Sequence, residues 1–150
     1  MTAGRVGGKG TQVFVNAPSD VDWARHIVHE LAKQCGFKEP RAVALATAVT
    51  EIARNIVVHA GRGKVSFVLI TEGQRQGIVA FASDNGPGIP DIELAMQDGY
   101  STKGSLGLGL SGAKRLVDEF EIESAAGAGV TITLTQWDEA ALDDDASLAR

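Results

Sequence analysis

SDNGPGIPDIELAMQDGYSTKGSLGLGLSG, residues 83–112, decides how the rest of the chain is read. Seven glycines fall between Asp84 and Gly112, one acid (Asp84) stands at the entrance, and a helix-forming run from Leu110 to Phe120 follows the exit. Glycine loses more backbone entropy on folding than other residues. Its concentration in mid-chain therefore implies backbone amides brought close to a ligand. Amides at a helix start form a ready anion site, so the stretch points to bound phosphate.

After this stretch, Glu121–Ala125 and Val130–Trp137 read as a closing pair of strands around Ala126-Gly127-Ala128-Gly129. On the other side, Lys64–Thr71 and Gly77–Ser83 read as two strands joined by the polar turn Glu72–Gln76. A short helix is expected inside the stretch, from Asp91 to about Gln97. Pro40 suits the first turn of a helix that runs to His59 and stops at Gly61. An earlier helix, capped by Ser19 or Asp20, runs to about Cys35 and stops at Gly36. Its Val21, Ala24, Ile27, Val28, Leu31 and Ala32 recur at helical spacing and should face the core, which leaves Trp23, His26 and His29 at solvated or rim positions. Thr11–Ala17 alternates as a first strand, with Val13 and Val15 on one side. Single strands and helices do not alternate for long, so the expected class is α+β: a mixed, mostly antiparallel sheet with helices on one face.

At 150 residues and 44% apolar content, the chain suits one domain with a real core. The domain should span residues 11–137. Residues 1–10, with four glycines, form a flexible lead. Of the net charge of −5, residues 138–150 carry −4, which leaves the body near −1. Such a body has no basic stripe for nucleic acid, and an acidic tail with little to bury is expected to be disordered. No uninterrupted apolar run approaches the roughly 18 residues of a membrane span, and there is no apolar signal core. A cytoplasmic location is the expectation. The single Cys35 cannot form an internal disulfide and reads as packing, with a reactive thiol as the other reading. Cys35, His26, His29 and His59 lack zinc-ligand spacing.

The second helix is unusually apolar (VALATAVTEIARNIVVHA, residues 43–60), which makes its polar members informative. Glu51 and Asn55, at i and i+4, share one face; Thr47 and His59 extend it. Two readings stand: a functional pair, or Glu51 paired with Arg54 and Asn55 facing solvent.

Three familiar nucleotide patterns fail. Gly107-Leu-Gly109-Leu-Ser-Gly112 matches the dinucleotide fingerprint but follows a loop instead of a strand. No Gly-x-x-x-x-Gly-Lys-Ser/Thr occurs, and the His-Arg-Asp and Asp-Phe-Gly elements of eukaryotic kinases are missing. What fits is a combination in fixed order: Glu51-x-x-x-Asn55 on a helix, Asp84-Asn85-Gly86-Pro87-Gly88 after a strand, Gly104-Ser-Leu-Gly107-Leu-Gly109 before a helix, and Gly127-Ala-Gly129 before a strand.

Together these four resemble the asparagine box and the three glycine boxes of the GHKL (Bergerat) ATPase superfamily, over roughly residues 11–137. Within it the likeness is to RsbT-type serine/threonine kinases, carried by EIARNIVVHAGRGKV (51–65), DNGPGIPDIELAMQDGYST (84–102) and GLGLSGAKRLVDEF (107–120). The resemblance implies a two-layer α/β sandwich that binds ATP and Mg²⁺. It implies that Asp84 recognises adenine while Gly86 and Gly88 let the ring pack closely, that Asn55 ligates Mg²⁺, and that Glu51 is the general base. It further implies phosphate contacts from Gly104, Ser105, Leu106, Gly107, Leu108 and Gly109, with Ser101, Thr102 and Lys103 on the lid and Arg54 a further candidate cation. Relatives place threonine directly after the last Gly-x-Gly; here that residue is Val130 and Thr131 follows, so Thr131 contacts adenine only if the strand register shifts locally. The implied substrate is a STAS-domain antagonist, with a PP2C-type phosphatase as a second partner. The alternative is an anti-sigma factor that sequesters a sigma factor and phosphorylates its own antagonist.

Overall fold

The computed structural model describes residues 10–88, 96–97, 109–125 and 127–139. Five strands, β1 (Thr11–Val15), β2 (Gly63–Glu72), β3 (Arg75–Asp84), β4 (Glu119–Ala125) and β5 (Gly129–Trp137), form one sheet in the order β1-β2-β3-β5-β4. Every pairing is antiparallel. Three helices, α1 (Pro18–Gln34), α2 (Glu39–His59) and α3 (Gly109–Leu116), complete the described elements. The α+β two-layer expectation holds, and the sheet is more uniformly antiparallel than expected.

Side-chain alternation decides which face carries the helices. Val13, Val65, Ala82, Ile132 and Ile122 stand in one cross-strand row, and the first four are buried in the core shared with α1 and α2. Phe14, Lys64, Ser83, Thr131 and Glu123 form the neighbouring row on the opposite face. There Phe14 is 72% exposed. α2 is the central core helix, with Leu45, Val49, Ile52 and Ile56 buried alongside Ala42, Ala46, Ala48 and Ala53. Each large aliphatic contributes about 1.5–3 kcal/mol on burial, while the alanines let neighbouring elements approach. By length and composition α2 could cross a membrane, but its apolar residues belong to the domain core.

The expected boundaries need three corrections. α1 starts at Pro18 with Ala17 as its N-cap, and Asp20 lies at the third helical position. Its carboxylate accepts the N–H groups of Asn16 and Ala17, so Asp20 supplies the cap oxygen from inside the helix and Ala17 is the cap residue. The turn between β2 and β3 is only Gly73-Gln74, since Glu72 already pairs with Arg75 across the ladder. α3 ends at Leu116 instead of Phe120, and Phe120 lies in β4 opposite Leu134. Residues 91–95 of the short helix expected at Asp91–Gln97, residues 1–9 of the expected lead and the tail after Glu139 lie outside the described residues.

Partners distant in sequence set the early end of α3. Asp118 takes two hydrogen bonds from the Arg41 guanidinium at 2.7 and 2.8 Å and a third from the Trp137 N–H at 2.8 Å. Arg41 Nε also donates to the Trp137 carbonyl at 2.8 Å. The Gln136 side chain, 1% exposed, accepts the Asp118 N–H and donates to the Leu116 and Arg41 carbonyls. This network joins the start of α2, the α3–β4 turn and the end of β5. Arg41→Ala should destabilise the domain by about 1.5–3 kcal/mol, read as a lower urea midpoint at unchanged slope.

Candidate active site

Asp84 ends β3 opposite Gly63, two residues beyond buried Ala82, and therefore on the helix face of the sheet. Its Oδ1 accepts the Gly86 N–H at 2.8 Å, forming a tight turn. A carboxylate has further acceptor capacity beyond that bond, which a ligand amine can use. The turn lies directly on the end of α2: a Cβ on Gly86 would stand 2.6 Å from the Ala60 Cβ. The last glycine pair closes on the same turn. Gly127 donates to the Pro87 carbonyl at 2.9 Å, and a Cβ on Gly129 would stand 2.0 Å from the Asp84 carbonyl oxygen. Gly129 also has φ +88°, a region costly for residues with a Cβ. Two glycine segments far apart in sequence thus build one backbone floor around Asp84.

Glu51 and Asn55 lie one turn apart on α2, on one face as their spacing requires. Glu51 is 6% exposed. Its Oε2 accepts from Arg54 Nη1 at 2.8 Å, and its Oε1 accepts the Gly109 N–H at 3.0 Å. A buried carboxylate needs such partners. The second also pins the first residue of α3 to α2, and Gly109 is the last glycine of the phosphate-loop motif. Both readings of Glu51 therefore meet in one side chain: it pairs with Arg54, and it touches the glycine loop. Asn55 is half-buried.

The remaining candidates separate. Gly88, half-buried with φ +85°, follows the Asp84 turn. Ser101, Thr102, Lys103, Gly104, Ser105, Leu106, Gly107 and Leu108 lie outside the described residues. Thr131 needs correction. It pairs with Ser83 and Glu123 without a register shift, is exposed, and lies on the face opposite Asp84. Buried Val130 takes the helix-facing position. The strand pleat keeps Thr131 out of the Asp84 site.

The donor set fits a metal carried in by a nucleotide. No group of three or more His, Cys, Asp or Glu side chains among the described residues could hold an ion alone, whereas one hard amide oxygen suits Mg²⁺ that keeps its waters and bridges phosphates. A cavity of about 520 Å³ opens at the ends of β1, β2 and β3, lined by Phe14, Asn16, Arg62, Lys64, Asp84 and Asn85 among others. Glu51, Asn55 and Gly109 are absent from its lining, so it is a neighbouring groove and not the Glu51 site.

Residues 14–136 match the family model described as a histidine kinase-like ATPase domain. The chain belongs to this family. It is 42% identical over 118 residues to the serine/threonine-protein kinase RsbT of Bacillus subtilis, covering 79% of this chain and 89% of that one. It is 27% identical over 128 residues to an anti-sigma F factor of Caldanaerobacter subterraneus, covering 83% and 90%. In fold it resembles a structure of the RsbU and RsbW domains of Rv1364c from Mycobacterium tuberculosis, with a TM-score of 0.62 and 20% identity, over 89% of this chain and 34% of that longer one.

Two contacts lacked a usable sequence signal. The Glu51–Gly109 contact joins residues 58 positions apart. The Arg41–Asp118 pair is 77 apart. Cys35 is half-buried, and burial, followed by the charge of Asp138, pushes its thiol pKa up; this favours packing over reactivity.

Gly129→Ala tests the shared floor. It should lower stability by more than Gly127→Ala, which meets open space and carries only the positive-φ cost of about 1–2 kcal/mol. Thermal unfolding of the two variants measures the difference.

Proposed function

We propose that this chain is an ATP- and Mg²⁺-dependent protein serine/threonine kinase of a bacterial partner-switching pathway, acting in the cytoplasm on a STAS-domain antagonist. A PP2C-type phosphatase is its second partner. The observation that carries the proposal is the Glu51 carboxylate. It is buried on the core helix, one turn from Asn55, with one oxygen on the amide that ends the glycine loop. An acceptor beside a phosphate loop suits phosphoryl transfer to a hydroxyl, and the likeness to RsbT supports protein serine or threonine as that hydroxyl.

In this reading Asp84 accepts the adenine exocyclic amine while the Gly86 turn and Gly129 leave room for the ring. Gly104, Gly107 and Gly109 are the residues assigned to the phosphates, and Asn55 would supply one oxygen to a metal that would neutralise phosphate charge. The substrate serine oxygen forms a bond to the γ-phosphorus as the bond from that phosphorus to the β-phosphate oxygen breaks. ADP leaves, and the serine proton passes to Glu51 and then to water. Such transfer depends chiefly on positioning and charge stabilisation, so Glu51 supplies the proton acceptor and α2 supplies the geometry.

An anti-sigma role is the second reading, favoured by the 27% likeness to an anti-sigma F factor. The higher identity to RsbT and the PGIPDI and DGYST phrases favour the first. Co-elution with a sigma factor would reverse that order.

Asp84→Asn should abolish binding of a fluorescent ATP analogue. Glu51→Gln, which retains an acceptor for the Gly109 N–H, should keep binding and lose phosphate transfer to a STAS-domain protein by about 10²–10⁴-fold. Undiminished transfer by Glu51→Gln would remove Glu51 from the role of base.

A further inference from the structure

We propose that Arg54 is a positioning residue for Glu51: it fixes Oε2, so that Oε1 is the oxygen presented to the phosphate loop. The inference rests on the phosphotransfer reading above and assigns a division of labour within one carboxylate. Arg54 stands three residues after Glu51, within side-chain reach on the helix surface. Its Nη1 lies 2.8 Å from Oε2 while Oε1 lies 3.0 Å from the Gly109 nitrogen. The guanidinium is 36% exposed and the carboxylate 6%, so the cation bridges solvent and a buried anion.

The physical need for this residue follows from the torsions of glutamate. The terminal torsion of Glu is broad and roughly two-fold, so a carboxylate with one partner can swing and exchange its oxygens. A guanidinium on one oxygen and a fixed backbone amide on the other remove that freedom. One fixing group comes from the same helix, the other from the first residue of α3. Phosphoryl transfer is sensitive to such placement, and a misplacement of about 1 Å costs on the order of 10²-fold in rate. The proposal gives Arg54 this role in place of adding positive charge to the phosphates. Its described partner is the carboxylate, and its effect on the reaction runs through Glu51.

Two readouts test the assignment on the full chain. Amide hydrogen exchange, followed by ¹⁵N NMR on the protein alone, should show the Gly109 amide exchanging at least about tenfold faster in Arg54→Ala and near the wild-type rate in Arg54→Lys, because the carboxylate no longer holds that amide in one place. Transfer from γ-labelled ATP to a panel of STAS-domain proteins should show kcat lowered about 10–100-fold in Arg54→Ala. KM for ATP should stay within about threefold and Arg54→Lys should recover most of the loss. Arg54→Gln serves in place of Arg54→Ala if the latter does not fold. A raised KM for ATP with kcat intact would assign Arg54 to the phosphates and overturn the proposal. So would unchanged Gly109 exchange. If the wild-type chain transfers no phosphate to any STAS protein, the kinase reading fails on its own, while the Gly109 exchange comparison still decides whether Arg54 positions Glu51.

Discussion

A negative charge buried on an apolar helix constrains everything around it. Glu51 lies among Ala48, Ile52 and Ala53 on α2, all fully buried. A carboxylate in that setting costs several kcal/mol unless each oxygen is satisfied. The satisfying groups are Arg54 and the Gly109 amide. The second is the consequential one, because it ties the beginning of α3 to the core helix and so fixes where the glycine loop must end. A core built for packing alone would have placed leucine or alanine at position 51.

The second constraint is the backbone floor under Asp84. Gly86 lies against Ala60, Gly129 lies against the Asp84 carbonyl, and Gly127 bonds to Pro87. Side chains at Gly86 or Gly129 would push apart the end of β3, the end of α2 and the start of β5. The two constraints act at different places on α2. Glu51 holds its middle to the start of α3, and Ala60 receives the Asp84 turn at its end. α2 is thus the ruler along which a nucleotide would be laid, and the Arg41–Asp118–Gln136 network anchors the ruler's other end to the sheet.

Much of this was legible in the sequence, for identifiable reasons. Strand alternation in Thr11–Val15 and the helical spacing of Val21, Ala24, Val28 and Ala32 report directly on burial. Glu51 and Asn55 stood out because polar residues are rare on an apolar helix. Helix and strand ends were less legible wherever a distant partner sets them. α3 stops at Leu116 because Arg41 and Trp137 capture Asp118, and nothing local marks that stop. Phe120 fits a helical stripe and a strand equally well, and pairing with Leu134 decides for the strand. Thr131 shows the opposite case: the pleat alone argued that it could not replace a threonine at position 130, and the pairing with Ser83 places it on the other face. Arg54 was legible both as a partner of Glu51 and as a further cation, and its reach along the helix gives the first reading its contact.

The central claim is that the Asp84 turn, the α2 face and the start of α3 belong to one nucleotide site. Titration of the ¹⁵N-labelled protein with ATP and Mg²⁺ tests it most directly. The amides of Asn55, Asp84, Gly86, Gly109 and Gly129 should shift together and saturate with a single dissociation constant. Shifts confined to Phe14, Arg62 and Lys64, around the neighbouring groove, would contradict the claim.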